Sequence, residues 1–504
     1  MKNTIWAGLL LMFCSVSAWA QCRATPASSS SAQTFAASGP ATSTTFSVAN
    51  RGAAIFDTQG GTGSPLVGYA RVQTNTGITP SAYLTFQNRL NGILVGQASV
   101  GATTPMTSGR IYTEVGGGVD TGVAIANPNP STATVTFYFT DAAGGNSPAG
   151  TFPIGPNSQM SAFVTQPPFN GGASLGGTMT FTSSLPIAVI ALRGLLNERG
   201  EFLMTTLPVT SLSASPASTQ YMPHFADGDG WKTQVVLINS TDSATSGTVQ
   251  FYSTGSASVA GAPLALNVNG QVAASFPYTI PGRSSVKLAT SGVGGAITSG
   301  SVRVTTASGT PATGLAIFTY RSQGVTVSEA GVPAVSPSTA FRMYEYDCGD
   351  YVGQIQTGIA ITNPGASAAT VTVELTELWG EISAGMTATI VVPPNGQVAR
   401  FLRQLLPAMA HPFHGVARIS SSSPIAVTAL RGDYNTRNDF LITTALPTSE
   451  SAPASSAEVI FPHLVDLGGY TTEFVLYSGV AGPTSTGTVS FFSQNGTPLM
   501  LNLN

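Results

Sequence analysis

The chain has 504 residues, of which only 8% are charged, and its net charge is −3. That near-neutral balance excludes a nucleic-acid binder, which needs a basic face. Hydrophobic residues make up 42% and alternate with Thr and Ser, which speaks against disorder. At ~100–200 residues per domain the length predicts about three to five domains.

Lys2, the mostly apolar run Ile5 to Val16 and the small-x-small site Ala18-Trp19-Ala20 read as a signal peptide over 1–20. The expected location is secreted, extracellular or cell-surface associated, with the periplasm as the other compartment. No later apolar run is long enough for a membrane helix. Cys14 leaves with the signal, so a disulfide within the chain could only join Cys22 and Cys348, and export permits it. The favoured reading is two free thiols. Residues 21–43, rich in Ser, Ala, Thr and Pro, read as a flexible tail.

From Thr44 onward, short runs of β-branched and aromatic residues are punctuated by Gly, Asn and Pro. Thr134 to Phe139, Thr248 to Tyr252 and Thr488 to Phe492 are examples. Strands at this spacing, without amphipathic helices between them, predict antiparallel sandwiches. Only Phe401 to Leu406 reads as a helical turn. Ser183-Ser184-Leu185-Pro186-Ile187-Ala188-Val189-Ile190-Ala191-Leu192-Arg193-Gly194 returns as Ser421-Ser422-Ser423-Pro424-Ile425-Ala426-Val427-Thr428-Ala429-Leu430-Arg431-Gly432, 238 positions later. An internal repeat therefore sets the architecture.

A finer period is marked by turns at Asn50, Asn157, Asn269 and Asn395. Asn followed by Gly suits a tight hairpin, because both residues adopt positive φ. The chain stops at Leu501-Asn502-Leu503-Asn504, which matches Leu266-Asn267-Val268-Asn269, so it begins and ends at one phase of the repeat. The expectation is an all-β tandem array of about four antiparallel Ig-like sandwich repeats, alternating two sub-types. Cut at the Asn turns, the repeats are 44–157, 158–269, 270–395 and 396–504. A second phase fits equally: three whole sandwiches between two half-repeats, whose strands exchange within one chain or between chains.

Candidate chemistry is sparse. Pro223-His224-Phe225-Ala226-Asp227 recurs as Pro462-His463-Leu464-Val465-Asp466, a His and an Asp that could orient one another as a general base and its partner. No G-x-S-x-G elbow supplies a nucleophile, and a structural histidine is favoured. His411-Pro412-Phe413-His414 reads as an exposed loop rather than a metal chelate. Asp227, Asp229, Glu345, Asp347 and Asp350 are weak calcium candidates on acidic loops, set against ordinary turn chemistry. Arg89, Arg193, Arg321 and Arg431 recur at a strand end in each unit, where pairing with an acid such as Glu201 or Asp439 is expected. Trp231 and Tyr470 occupy matching loop positions, where an aromatic either stacks on a sugar or plugs the sandwich end; the plug is favoured.

The P-I-A-V-x-A-L-R-G motif, the T-G-I-A-I-x-N-P loop and the P-N-G-Q turn resemble those of repetitive secreted proteins of environmental bacteria. The resemblance spans about 44–504 and implies Ig-like or fibronectin-like sandwiches. It brings no catalytic residues to this chain. The reading that follows is a non-enzymatic structural or adhesive protein with no cofactor beyond calcium, whose partners are glycans, other surface proteins or itself. The alternatives are a polysaccharide binder using Trp231 and Tyr470, and a hydrolase using the His224 and His463 loops.

Overall fold

In a computed structural model, residues 39–504 are described, except 214, 350–353, 383–384 and 411. Among the described residues nearly every element is a strand in an antiparallel sheet, and the single helix, Leu402–Leu405, falls at the expected helical turn.

Residues 106–211 form a second block, built around the 22-residue strand Leu175–Leu196. Its first half pairs with Met106–Val115 and Ala133–Asp141. Its second half pairs with Val119–Ala126 and Phe202–Leu207. One strand thus crosses from one layer to the other, with a register shift between Thr182 and Ile187. Pro186, which has no N–H to donate, sits at that crossing, so the repeated S-S-x-P-I sequence marks where pairing changes sheets. The fourth block, 338–449, repeats the device in Phe413–Tyr434 with Pro424 at the crossing.

The third block, 219–333, replaces the crossing strand by two, Thr298–Ser308 and Thr313–Ser322, broken at Gly309-Thr310-Pro311. One sheet orders Thr219–Asp227, Thr298–Ser308, Thr245–Ser253 and Ser275–Ile280; the other orders Ser285–Ala289, Trp231–Ile238, Thr313–Ser322 and Val325–Pro333.

The remaining block has the same order, but its strands come from both ends of the chain. Val459–Asp466, Leu66–Thr76, Ser485–Ser493 and Ser43–Val48 form one sheet. Ala53–Asp57, Tyr470–Tyr477, Ser81–Leu90 and Ile93–Gly101 form the other. Gly39–Ala41 also pairs with Leu501–Leu503. The rings of Phe56 and Phe474 stack across the two segments at 4.8 Å, and Phe46, Phe86, Phe461 and Phe491 share their core. The cuts at 157, 269 and 395 therefore need correction. Each falls inside a set of paired strands, because the Asn turn links two strands of one block.

Three of those turns hold Asn at positive φ: Asn157, Asn269 and Asn395. At the first, Arg51 takes positive φ instead, and Asn50 accepts a hydrogen bond from Arg342. In three blocks another asparagine holds the loop that follows a core strand; in the terminal block that position is Ser478. Buried Asn127 donates to the carbonyls of Ser131, Ile154 and Gly155. Asn239 donates to Ser243, Ile280 and Pro281, and Asn363 to Ser367, Val392 and Pro393. Asn363→Ala leaves those carbonyls without their donor, so urea unfolding should show a loss of about 2 kcal/mol. The same change at the exposed turn residue Asn495 should cost far less.

Candidate functional site

The polar chemistry collects where the blocks meet. Ile93–Gly101, Phe202–Leu207, Val325–Pro333 and Phe440–Ala445 are the last strands of their sheets, each pairing with one neighbour only. Each packs against the next, closing a four-membered cycle. Bare edges would otherwise invite pairing with other chains; here they cover one another through side chains. Ser328 Oγ accepts from the Ile442 N–H at 2.7 Å and donates to its carbonyl. The Ser99 N–H donates to Thr443 Oγ1 at 2.8 Å, and Thr444 Oγ1 donates to the Gly331 carbonyl. Gly331 is required here, since a Cβ would stand 2.1 Å from the Thr206 carbonyl oxygen.

Two buried arginines lie beside this cycle. Arg193 bonds Glu329 of the third block and lies 3.5 Å from Glu114, which also binds Lys287 at 2.8 Å. Burial alone would raise the Glu114 carboxyl, but Arg193 and Lys287 hold it below the ordinary range. Arg431 bonds Glu473 of the terminal block at 2.6 Å. Burial pushes nearby Asp433 up to about 6 against the pull of Arg431.

The hairpins at one end of the cycle interlock. Asn197-Glu198-Arg199-Gly200-Glu201 and Asn435-Thr436-Arg437-Asn438-Asp439 are related by the 238-residue shift. Arg199 bonds Asp439 at 2.8 Å, and Arg437 bonds Glu201 at 2.6 Å. Asn197 reaches the Thr326 carbonyl of the third block and Asn435 the Leu94 carbonyl of the terminal block. Burial opposes the ionised Asp439, yet the hydrogen bond from Arg199 leaves its carboxyl lowered. This N-x-R-x-[E/D] pair escaped the sequence reading, although the same shift that exposed the P-I-A-V motif would have found it.

His224 and His463 lie at outer seams. A bulge between Met222 and Phe225, and another between Phe461 and Leu464, turns each Pro-His pair toward the adjoining block. Gln397 Nε2 lies 3.0 Å from His224 Nδ1, and Gln159 Nε2 lies 3.2 Å from His463 Nδ1. The amide donates to Nδ1, which places the ring proton on Nε2 of a neutral imidazole. Both rings keep some accessible area, yet the dense surroundings desolvate them and lower each pKa to about 4. Neither meets the aspartate of its motif. Asp227 accepts the Gly292 N–H and Asp466 the Gly60 N–H. The other two seams hold the buried Arg110, donating to the Asn239 carbonyl, and Arg342, donating to Asn50 and Ser478.

Several expectations need correction. Glu201 and Asp439 pair with Arg437 and Arg199, not with Arg193 or Arg431, because the hairpin tips carry them past the buried pair. The four repeated arginines are not one position: Arg193 and Arg431 are buried, whereas Arg321 is exposed near a hairpin tip on Glu198 and Arg89 is half-buried near Thr471. Trp231 and Tyr470 begin strands rather than tip loops. Trp231 stacks on Tyr320 at 4.7 Å and meets Phe440 edge-on, while half-buried Tyr470 packs on the terminal core. Of the proposed exposed loop, Phe413 is buried, and His414 bonds the Tyr344 hydroxyl and stacks on Tyr346. His411 lies outside the described residues.

The acidic residues are scattered. Asp229 is an exposed turn residue at φ 49°, and Asp347 bonds Arg403. Glu345 is buried beside Thr357 and Asp347, and burial raises its carboxyl well above the carboxylate range. Asp350 lies outside the described residues, among which no group of three or more His, Cys, Asp or Glu is placed to hold a metal. Cys348 is disulfide-bonded rather than free, while Cys22 lies outside the described residues.

No protein-family model matches the sequence, and no curated protein matches it. Among solved structures, the chain is similar to infectious bursal virus derived T=1 particles at 9% identity, over 80% of this chain and 81% of that one, with a TM-score of 0.10. It is also similar to a glycoside hydrolase family 32 structure from Bifidobacterium adolescentis at 11% identity, over 76% of this chain and 99% of that one, with a TM-score of 0.14. Similarity this low carries neither fold nor chemistry across.

The histidine seams give a pH test. An unfolded histidine takes up a proton near 6.5, which the folded protein refuses until about 4. The stability each neutral ring contributes is therefore complete above 6.5 and lost as pH falls toward 4, by at most about 3 kcal/mol per ring. Asp433, raised to about 6, acts in the opposite direction over the same range. The readout is thus the difference between proteins: wild type should lose up to about 3 kcal/mol relative to His224→Gln between pH 6.5 and 4 in urea unfolding. His463→Gln should behave alike.

Proposed function

We propose that the chain is an exported structural or adhesive scaffold, made of four immunoglobulin-like sandwich blocks of two alternating kinds closed into a ring. The observation that carries this reading is the destination of buried or half-buried members of its few charged residues and histidines. His224, His463, Arg110, Arg193, Arg342 and Arg431 all bind across seams between blocks. Groups spent on holding blocks together stiffen the ring, and its loops are then the surface it presents. The signal-like N-terminus supports export.

The two alternatives draw less support. A sugar would have to displace Tyr320 from Trp231, and a hydrolase would need a nucleophile beside imidazoles that stay neutral and face glutamine. The deciding experiment is an attachment assay with purified mature protein, run beside a glycan array and a hydrolase panel. The scaffold reading expects saturable attachment to cells or matrix, with no turnover. Competable glycan binding that disappears in Trp231→Ala would replace it with the polysaccharide reading. Turnover abolished in both His224→Ala and His463→Ala would replace it with the enzyme.

A further inference from the structure

We infer that the terminal block is an exchangeable joint, through which residues 459–504 of one copy complete the block of a second copy of this chain. The first ground is backbone pairing. Val459–Asp466 pairs with Leu66–Thr76; Tyr470–Tyr477 pairs with Ala53–Asp57 and Ser81–Leu90. Ser485–Ser493 pairs with Ser43–Val48 and Leu66–Thr76, and Leu501–Leu503 pairs with Gly39–Ala41. No strand of the segment pairs with another strand of the segment. Alone it would leave whole rows of N–H and C=O groups unpaired, so it requires residues 39–101 of some copy.

The second ground is the core. Phe461, Phe474, Phe491, Leu501 and Leu503 are buried against the N-terminal strands. They would be bare if the segment stood off. The third is the link. Residues 450–458 include Ser451-Ala452-Pro453-Ala454-Ser455-Ser456-Ala457, which is mostly exposed. Extended, nine residues reach about 30 Å, enough to carry the segment outward. The equivalent third block is built from continuous chain and closes by itself, so only the terminal block offers this joint.

The contacts are the same within one copy or between two, so the balance is set by concentration. Self-closure wins in dilute protein through the high effective concentration of a tethered segment, ~mM for a short link, and exchange gains as protein approaches that level. Reciprocal exchange closes a dimer, and one-way exchange continues head to tail. The joint stands on these three grounds and is independent of what the ring's surface binds.

The test uses full mature chains carrying Thr45→Cys or Thr488→Cys, positions that face each other in the ladder. The two variants are mixed, unfolded in urea, refolded together at about 1 µM or about 1 mM, and oxidised. Exchange predicts a covalent dimer linked between positions 45 and 488, identified by peptide mass spectrometry and at least tenfold more abundant at the higher concentration. Absence of that dimer at both concentrations overturns the joint. Should either variant misfold, wild type refolded the same way decides. A light-scattering mass rising to two chains or more supports exchange, and a single-chain mass throughout overturns it.

Discussion

The architecture depends on the pairing of the first described strands with the last. Ser43–Val48 and Ala53–Asp57 pair only with strands more than 400 residues away. A buried backbone group without a partner costs about as much as a lost hydrogen bond, so neither end is complete until the other arrives. Closing the terminal block also brings Ile93–Gly101 to the centre, where it is the fourth member of a cycle that three blocks alone would leave open.

That cycle solves a problem common to stacked sheets. Four edge strands meet, yet they do not merge into one continuous sheet. Hydroxyls of Ser328, Thr443 and Thr444 stand in for ladder partners, and glycines at 96 and 331 let the strands approach. Small polar residues satisfy edge groups without demanding a shared register. The charged residues follow the same economy. Arg193 and Arg431 sit on equivalent strands but choose different acids, Glu329 and Glu473, because the position matching Glu329 in the terminal block is Gln97. The two halves are thus related in backbone and distinct in electrostatics.

The seams also explain why the candidate chemistry was hard to weigh from residues alone. His224 and Asp227 lie three positions apart, close enough in sequence to allow a dyad beside the favoured structural reading. A bulge turns the histidine outward while the aspartate stays behind on a loop amide. Cys348 could not be told from a free thiol, since spacing says nothing about reach. Trp231 and Tyr470 read as loop aromatics because the Gly-rich turns before them hid the start of a strand.

The amino-acid sequence by itself determined the all-β character, through period-two alternation and Gly, Asn and Pro punctuation, and it carried the 238-residue repeat in the P-I-A-V motif. It also carried a second likeness, since Leu501-Asn502-Leu503 copies Leu266-Asn267-Val268. It left open which strands share a block, because alternation records a buried face and not the partner lying on it. Only the tertiary structure decided which strands pair, along with the interlocked Arg199 and Arg437 hairpins and the glutamine partners of His224 and His463. These are contacts between residues up to hundreds of positions apart, and their geometry arises from the packing of blocks.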